Sequence, residues 1–464
     1  MSGERGKPSY VGVLSGAAAG LAAYALAGTA APSPEARRLV GVMAAVVCWW
    51  VTEAMPLPVS ALLGSSLCVL LGVAPARKVF APYADPVIFL FLGSFWIAEA
   101  MSAHGLDRRI ALRLLSLDAL SRSPRRLLFG LGGVAAFISL WVSNTATTAM
   151  LLPVALGLLR AIPEDTRTPL YESRMLLMLS FAASVGGLGT PVGTPPNLIG
   201  MGMLERLAGV RLSFLDWMRV GLPVAVLALL WVFLLLGRGL PRPRGWIKLK
   251  DFLAREVSAL GPMKAGERNT LAVLAFAVVL WLFAGEFLPE GVSAMLAASA
   301  LFLLPAEDGG PTLTWEGALR ADWGVLLLFG GGMSLGTLLF ETGLASGLGN
   351  GAAAFLGVRT SFGAGGTASA VSILTSELSS NTASANIAVP FALALSGSVG
   401  AAPLCPALSA AMASSFGFLL PVSTPPNAIV YGTGKVPLRE MMAAGVLLDL
   451  FGFLLVWLAV PLLA

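Results

Sequence analysis

The chain has 464 residues, of which 56% are hydrophobic and 12% charged, and its formal net charge is +5. A soluble domain carries about 25% charged residues, so this composition, with a mean hydropathy of +0.82, excludes a soluble globule and points to lipid. The basic excess sits in loops that flank apolar runs, the positive-inside pattern of membrane proteins rather than a nucleic-acid footprint.

Eleven segments read as candidate membrane helices, near 9–31, 36–55, 57–74, 86–118, 174–207, 214–238, 269–288, 290–305, 323–346, 404–433 and 437–463. Lys7 precedes the first. No short apolar core with a small-residue cleavage site stands out there, so the segment reads as a span rather than a leader. Two further apolar stretches, 126–160 and 363–397, are interrupted in the middle by polar and small residues and read as re-entrant helical hairpins. The three cysteines, Cys48, Cys68 and Cys405, lie in apolar segments without metal-ligand spacing and read as packing residues. The expected fold class is therefore an all-α polytopic membrane protein.

Charge sets the expected orientation. Arg108, Arg109, Arg113, Arg122, Arg125 and Arg126 gather before the first hairpin, and Arg242, Arg244, Lys248, Lys250, Arg255, Lys264 and Arg268 fill the loop 241–268. With both clusters in the cytoplasm, the N-terminus lies inside and, after eleven crossings, the C-terminus outside. The loop is also the one long polar linker. The expected organisation is N-terminal helices over 1–85, a first repeat over 86–240 and the cytoplasmic linker 241–268. Further helices over 269–322 and a second repeat over 323–464 complete it.

The halves repeat. Ser143-Asn144-Thr145 recurs as Ser380-Asn381-Thr382, at an offset of 381 − 144 = 237, and Pro153 and Gly93 map to Pro390 and Gly330 at the same offset. Thr194-Pro195-Pro196-Asn197 recurs as Thr424-Pro425-Pro426-Asn427, at an offset of 427 − 197 = 230. Five full spans separate the hairpins, and an odd number makes the second hairpin enter from the opposite side, an inverted repeat typical of secondary transporters.

A hairpin tip within the membrane must satisfy its own backbone or line a water-filled cavity. Ser-Asn-Thr suits that task by capping the helix that follows. A threonine before proline is extended, and Pro195 and Pro425 suit a first helical position. The run Ser184-Val185-Gly186-Gly187-Leu188-Gly189 breaks the preceding helix. Helix N-termini then converge, favouring an anion, while unwound carbonyls and hydroxyls favour a hard cation. The stretches 139–153, 184–200, 376–390 and 414–430 contain no Lys, Arg or His, so a dianion bound there needs helix dipoles and bound cations for compensation.

With both tripeptides and both Thr-Pro-Pro loops in place, nearly the whole chain resembles the divalent anion/sodium symporter family, whose bacterial members carry succinate, malate and fumarate. The resemblance implies a sodium-coupled importer of C4-dicarboxylates in the bacterial inner membrane. It also implies a homodimer with a fixed scaffold and a transport domain that slides like an elevator, with Na⁺ as coupling ion and no organic cofactor. It implies a first sodium site at Ser139, Ser143, Asn144 and Gly193, and a second at Ser376, Ser379, Asn381 and Ser423. Substrate carboxylates meet Asn144, Thr145, Asn381, Thr382, Thr424 and Pro425. Ser379 and Ser423 depart from the family pattern, which has alanine there. Acting through backbone carbonyls they leave the site unaltered; intruding hydroxyls shift affinity or ion choice. Within the same family, sodium-independent exchange of dicarboxylates uses the same motifs, and sulfate or citrate are alternative cargoes.

Outside the motifs, Glu53, Glu99 and Glu341 fall in or at the edges of spans and read as structurally paired or interfacial. Glu377, beside the second cation site, reads equally as a supporting carboxylate, a proton site or a hydrogen-bond partner of the hairpin backbone. His104, the single histidine, reads as a solvated helix end, and Gly330-Gly331-Gly332 as a close helix contact. An intramembrane enzyme needs a nucleophile with a base or a metal cluster, and the motifs offer neither. A channel is better served by several equivalent pore-lining elements than by two opposed hairpins.

Overall fold

The computed structural model describes residues 9–28, 31–121, 123–162, 167–240, 248–285 and 287–464. Among these, every regular element is a helix, apart from one bridge between Pro305 and Pro311. Arg122 and the whole stretch 241–247, with Arg242 and Arg244, lie outside the described residues.

Both interrupted stretches form helical hairpins. The first pairs Pro124–Ser139 with Asn144–Ala161, and the second pairs Ser361–Leu378 with Asn381–Ser398. Their ends follow from capping. Ser123 accepts from Arg126 N at 3.2 Å, and Thr360 from Gly363 N at 3.1 Å. At the tips Ser143 accepts from Ala146 N at 3.3 Å and Ser380 from Ala383 N at 3.2 Å. Beside each hairpin runs a broken helix. Pro169–Gly186 continues as a tight turn over Gly187–Gly189 and resumes as Pro195–Ala208, while Leu404–Ala413 resumes as Pro425–Tyr431. Thr194 and Thr424 are extended, and a proline opens each second segment, as the X-Pro rule requires.

Six of the described helices are long and apolar enough to cross a bilayer by themselves, Tyr10–Ala27 and Leu438–Leu463 among them, and no hairpin arm is one of the six. Their outward faces carry large apolar side chains at helical spacing, such as Leu227, Leu230 and Leu234, or Leu450, Leu454 and Leu458.

The expected span 86–118 is two helices. Pro86–Ala103 ends at His104, and Gly105, at φ 71°, turns the chain into Leu106–Leu115. The second helix carries buried Asp107 and Arg109, so it serves as a polar brace. Nor is His104 a solvated terminus: its Nε2 lies 2.7 Å from the Thr312 carbonyl oxygen and its ring packs on Gly266. The glycine run packs closely, Gly330 on Tyr83 and Gly331 on Ala61. The N-terminal helices form their own core with Trp323–Glu341, through Trp49, Trp50, Leu335 and Leu339.

A cavity between two hairpin tips

At the first tip, Ser139 Oγ donates to Asn144 Oδ1 at 2.7 Å. Facing them is the linker of the first broken helix. Asn197 Nδ2 donates to the carbonyls of Gly187 at 2.8 Å and Thr190 at 2.7 Å, pinning that linker to its own continuation. A Cβ added to Gly193 would lie 2.5 Å from Gly187 O and 2.9 Å from Ser139 O, and one added to Gly187 would collide with Asn144 Oδ1. Only glycine admits this approach. It gathers the oxygens of Ser139, Asn144, Gly187 and Gly193, the neutral hard-oxygen set that suits Na⁺. Ser143, expected with them, uses its hydroxyl oxygen as the cap and faces the cavity instead.

The second tip repeats the arrangement. Ser376 Oγ lies 2.8 Å from both Asn381 Oδ1 and Ser414 O and donates its one hydrogen between them. Asn427 Nδ2 reaches Leu420 O at 3.2 Å and Gly417 O at 3.4 Å. A Cβ on Gly417 would lie 2.8 Å from Ser376 Oγ and 3.4 Å from Asn381 Oδ1. The hydroxyls of the two departing serines are engaged elsewhere. Ser379 Oγ donates back to Thr375 O at 2.9 Å, and Ser423 Oγ to Glu377 Oε2 at 2.6 Å. Glu377 Oε1 also accepts from Leu419 N at 2.9 Å, so this carboxylate holds the second linker. The adjacent amide, Phe418 N, donates to Asp449 at 3.3 Å.

Between the tips lies a cavity of about 480 Å³, lined by all six residues expected to meet substrate: Asn144, Thr145, Asn381, Thr382, Thr424 and Pro425. The N-termini of both second hairpin arms and of both resumed helices open onto it with the positive ends of their dipoles; the hairpin arms also bring N–H groups, which the Pro-Pro starts of the resumed helices lack. The sequence reading missed the pinning roles of Asn197 and Asn427, although both stand in the repeated tetrads. It also missed Arg320 and Asp322, which line the opposite wall with Glu99. Glu99 pairs with Arg320 and Glu341 with Lys78, whereas Glu53 is exposed at a helix end.

Residues 17–463 match the sodium:sulfate symporter transmembrane region. The chain belongs to this family, the divalent anion/sodium symporters. The sodium-dependent dicarboxylate transporter SdcS of Staphylococcus saprophyticus is 35% identical over 440 residues, covering 89% of this chain and 83% of that protein. SdcS of Staphylococcus aureus strain USA300 is 33% identical over 443 residues, with the same coverage. In fold the family member described above resembles the YdaH transporter of Alcanivorax borkumensis, with a TM-score of 0.55 over 82% of this chain and 85% of that one at 14% identity.

Proposed function

We propose that the chain imports C4-dicarboxylates such as succinate, malate and fumarate, driven by sodium, through alternating access of the elevator type. One observation carries this reading: the same asparagine serves both an oxygen cluster and the cavity. Asn144 Oδ1 belongs to the first cluster and Asn381 Oδ1 to the second, while both residues line the central cavity. A cation that fixes either amide also fixes the wall the substrate meets, so each ligand strengthens the other's site. The first sodium takes Ser139, Asn144 and the Gly193 backbone, with Ser143 at the edge. The second takes Ser376, Asn381 and the backbones of Ser379 and Ser423. The dianion is held by helix N-termini with Asn144, Thr145, Asn381, Thr382, Thr424 and Pro425. The Staphylococcus relatives, sodium-dependent dicarboxylate transporters, support both cargo and coupling ion.

The hairpins and broken helices of 86–240 and 323–464 form inverted repeats, and 1–85 with 269–322 supplies the frame they move against. The carrier sits in the bacterial inner membrane as a homodimer, with its N-terminus and the basic loop in the cytoplasm. Sodium-independent exchange has one observation in its favour: the Ser423 hydroxyl at the second cluster is already bound to Glu377.

Uptake of labelled succinate into liposomes containing the purified protein tests the reading. Uptake that requires an inward sodium gradient supports symport. Uptake indifferent to sodium but dependent on internal dicarboxylate replaces it with exchange.

A further inference from the structure

The tips supply no fixed cation to the cavity, but its far wall does. Among the described residues, the ionisable side chains lining it are Glu99, Arg320 and Asp322. Glu99 stands on Pro86–Ala103, one turn from Phe95 and Ser102 on a shared face. Arg320 and Asp322 lie where Trp315–Ala318 passes into Trp323–Glu341, and Asp322 caps the latter by accepting from Val325 N at 3.2 Å. The corner is braced by Trp96, which packs edge-on against Phe302 at 5.3 Å and Trp315 at 6.3 Å. Arg320 is therefore carried on a firm support.

Its contact with Glu99 is loose. Nη1 lies 3.5 Å from Oε1, and the arginine side chain is 73% exposed. A charge-assisted pair closes to about 2.8 Å. Arg109 shows what a structural arginine looks like in this chain. It is buried, with Nε 2.6 Å from Glu267 Oε1 and Nη1 and Nη2 donating to the carbonyls of Leu260, Gly261 and Pro262. Among the described residues Arg320 has no such set. Its guanidinium keeps a planar fork of donors that matches a carboxylate.

We propose that Arg320 is a specificity-determining residue: its guanidinium exchanges Glu99 for a carboxylate of the incoming anion, so that the cavity favours dianions over monoanions. A monoanion held by the helix N-termini has no second carboxylate with which to displace Glu99. The inference depends on the cavity taking a dicarboxylate, as proposed above.

Binding of labelled succinate to the purified protein in sodium-containing buffer tests it, on R320Q, R320K and E99Q, each checked for a wild-type elution profile and melting temperature. R320Q is expected to weaken binding about five- to tenfold and to lose most of the ionic-strength dependence seen in the wild type. R320K should recover part of the loss, and E99Q should bind about twofold tighter, because its arginine is released. Competition by a monoester of succinate should be unchanged in R320Q. R320Q binding within twofold of wild type overturns the inference alone, as does E99Q weakening as much as R320Q, which marks the pair as structural. A wild type that binds no succinate overturns the dicarboxylate reading and this inference together.

Discussion

The two tip clusters are built on one plan, yet their linkers are tethered to different kinds of acceptor. In the first half Thr190 lies on the linker and its hydroxyl donates to the Leu140 carbonyl of the hairpin. In the second half the linker position is Leu420 (190 + 230 = 420), which has no hydroxyl, while the hairpin position is Glu377 (140 + 237 = 377). There the hairpin accepts through a side chain rather than a carbonyl, taking Leu419 N and the Ser423 hydroxyl on one carboxylate. What both halves share is the Ser–Asn pair and the asparagine pin; what differs is the tether. The difference also brings an acidic side chain, Glu377, to one cluster only, so the two oxygen clusters are not electrostatic equivalents.

The strongest challenge to the shared plan is to remove its common element. Asn144→Ala and Asn381→Ala are each expected to lower succinate uptake about 100-fold, since each removes an oxygen proposed to serve ion and substrate together. The variants should elute as folded protein, and near-normal uptake by either one breaks the equivalence of the halves. Next come the glycines. Gly187→Ala drives a methyl into Asn144 Oδ1 and to 3.0 Å from the Gly193 carbonyl oxygen, whereas Gly417→Ala meets its nearest atom, the Ser376 hydroxyl, less closely at 2.8 Å. The sodium concentration for half-maximal uptake should rise about 30-fold for the first and about threefold for the second, following the cost of a severe or a milder overpacking. The tethers separate the halves more finely. Glu377→Gln should raise the sodium requirement about tenfold, and Thr190→Val about threefold, because charged hydrogen bonds contribute more than neutral ones. Equal effects would erase the asymmetry.

The smallest effect concerns a bond present once. Ser180 Oγ donates to Asn427 Oδ1 at 2.7 Å, but the mirror position, 180 + 230 = 410, is alanine, and Asn197 Oδ1 has no partner among the described residues. Ser180→Ala should lower stability by about 1 kcal/mol, and Ala410→Ser should raise it by a similar or smaller amount. Melting curves of the purified variants decide whether the symmetry extends to this pair.

The hairpins, the broken helices and the six cavity residues were legible because each is encoded locally and written twice. A tripeptide cap, a Thr-Pro-Pro entry and a glycine run act within a few residues, and repetition separates them from chance. The helix break at Gly105 went unread although Asp107, Arg108 and Arg109 interrupt the apolar run just past it, because helical pattern resumes on both sides and the turn itself rests on one positive φ. Arg320 was illegible for another reason. It reaches the cavity through a pairing with Glu99, 221 positions away (320 − 99 = 221), and neither residue has a counterpart in the repeat. Asn197 and Asn427 lay within the repeated motif, but nothing in a tetrad says which carbonyls an amide will hold.

Those two amides have a thermodynamic consequence. Each linker is fixed by bonds to its own helix, with Pro191 and Pro421 further limiting its backbone. Its carbonyls are thus directed inward before any ligand arrives. The conformational entropy of ordering these segments is lost during folding rather than at each turnover. Ion capture then has only water to remove, and a carrier that must load and unload repeatedly avoids reordering its backbone in every cycle.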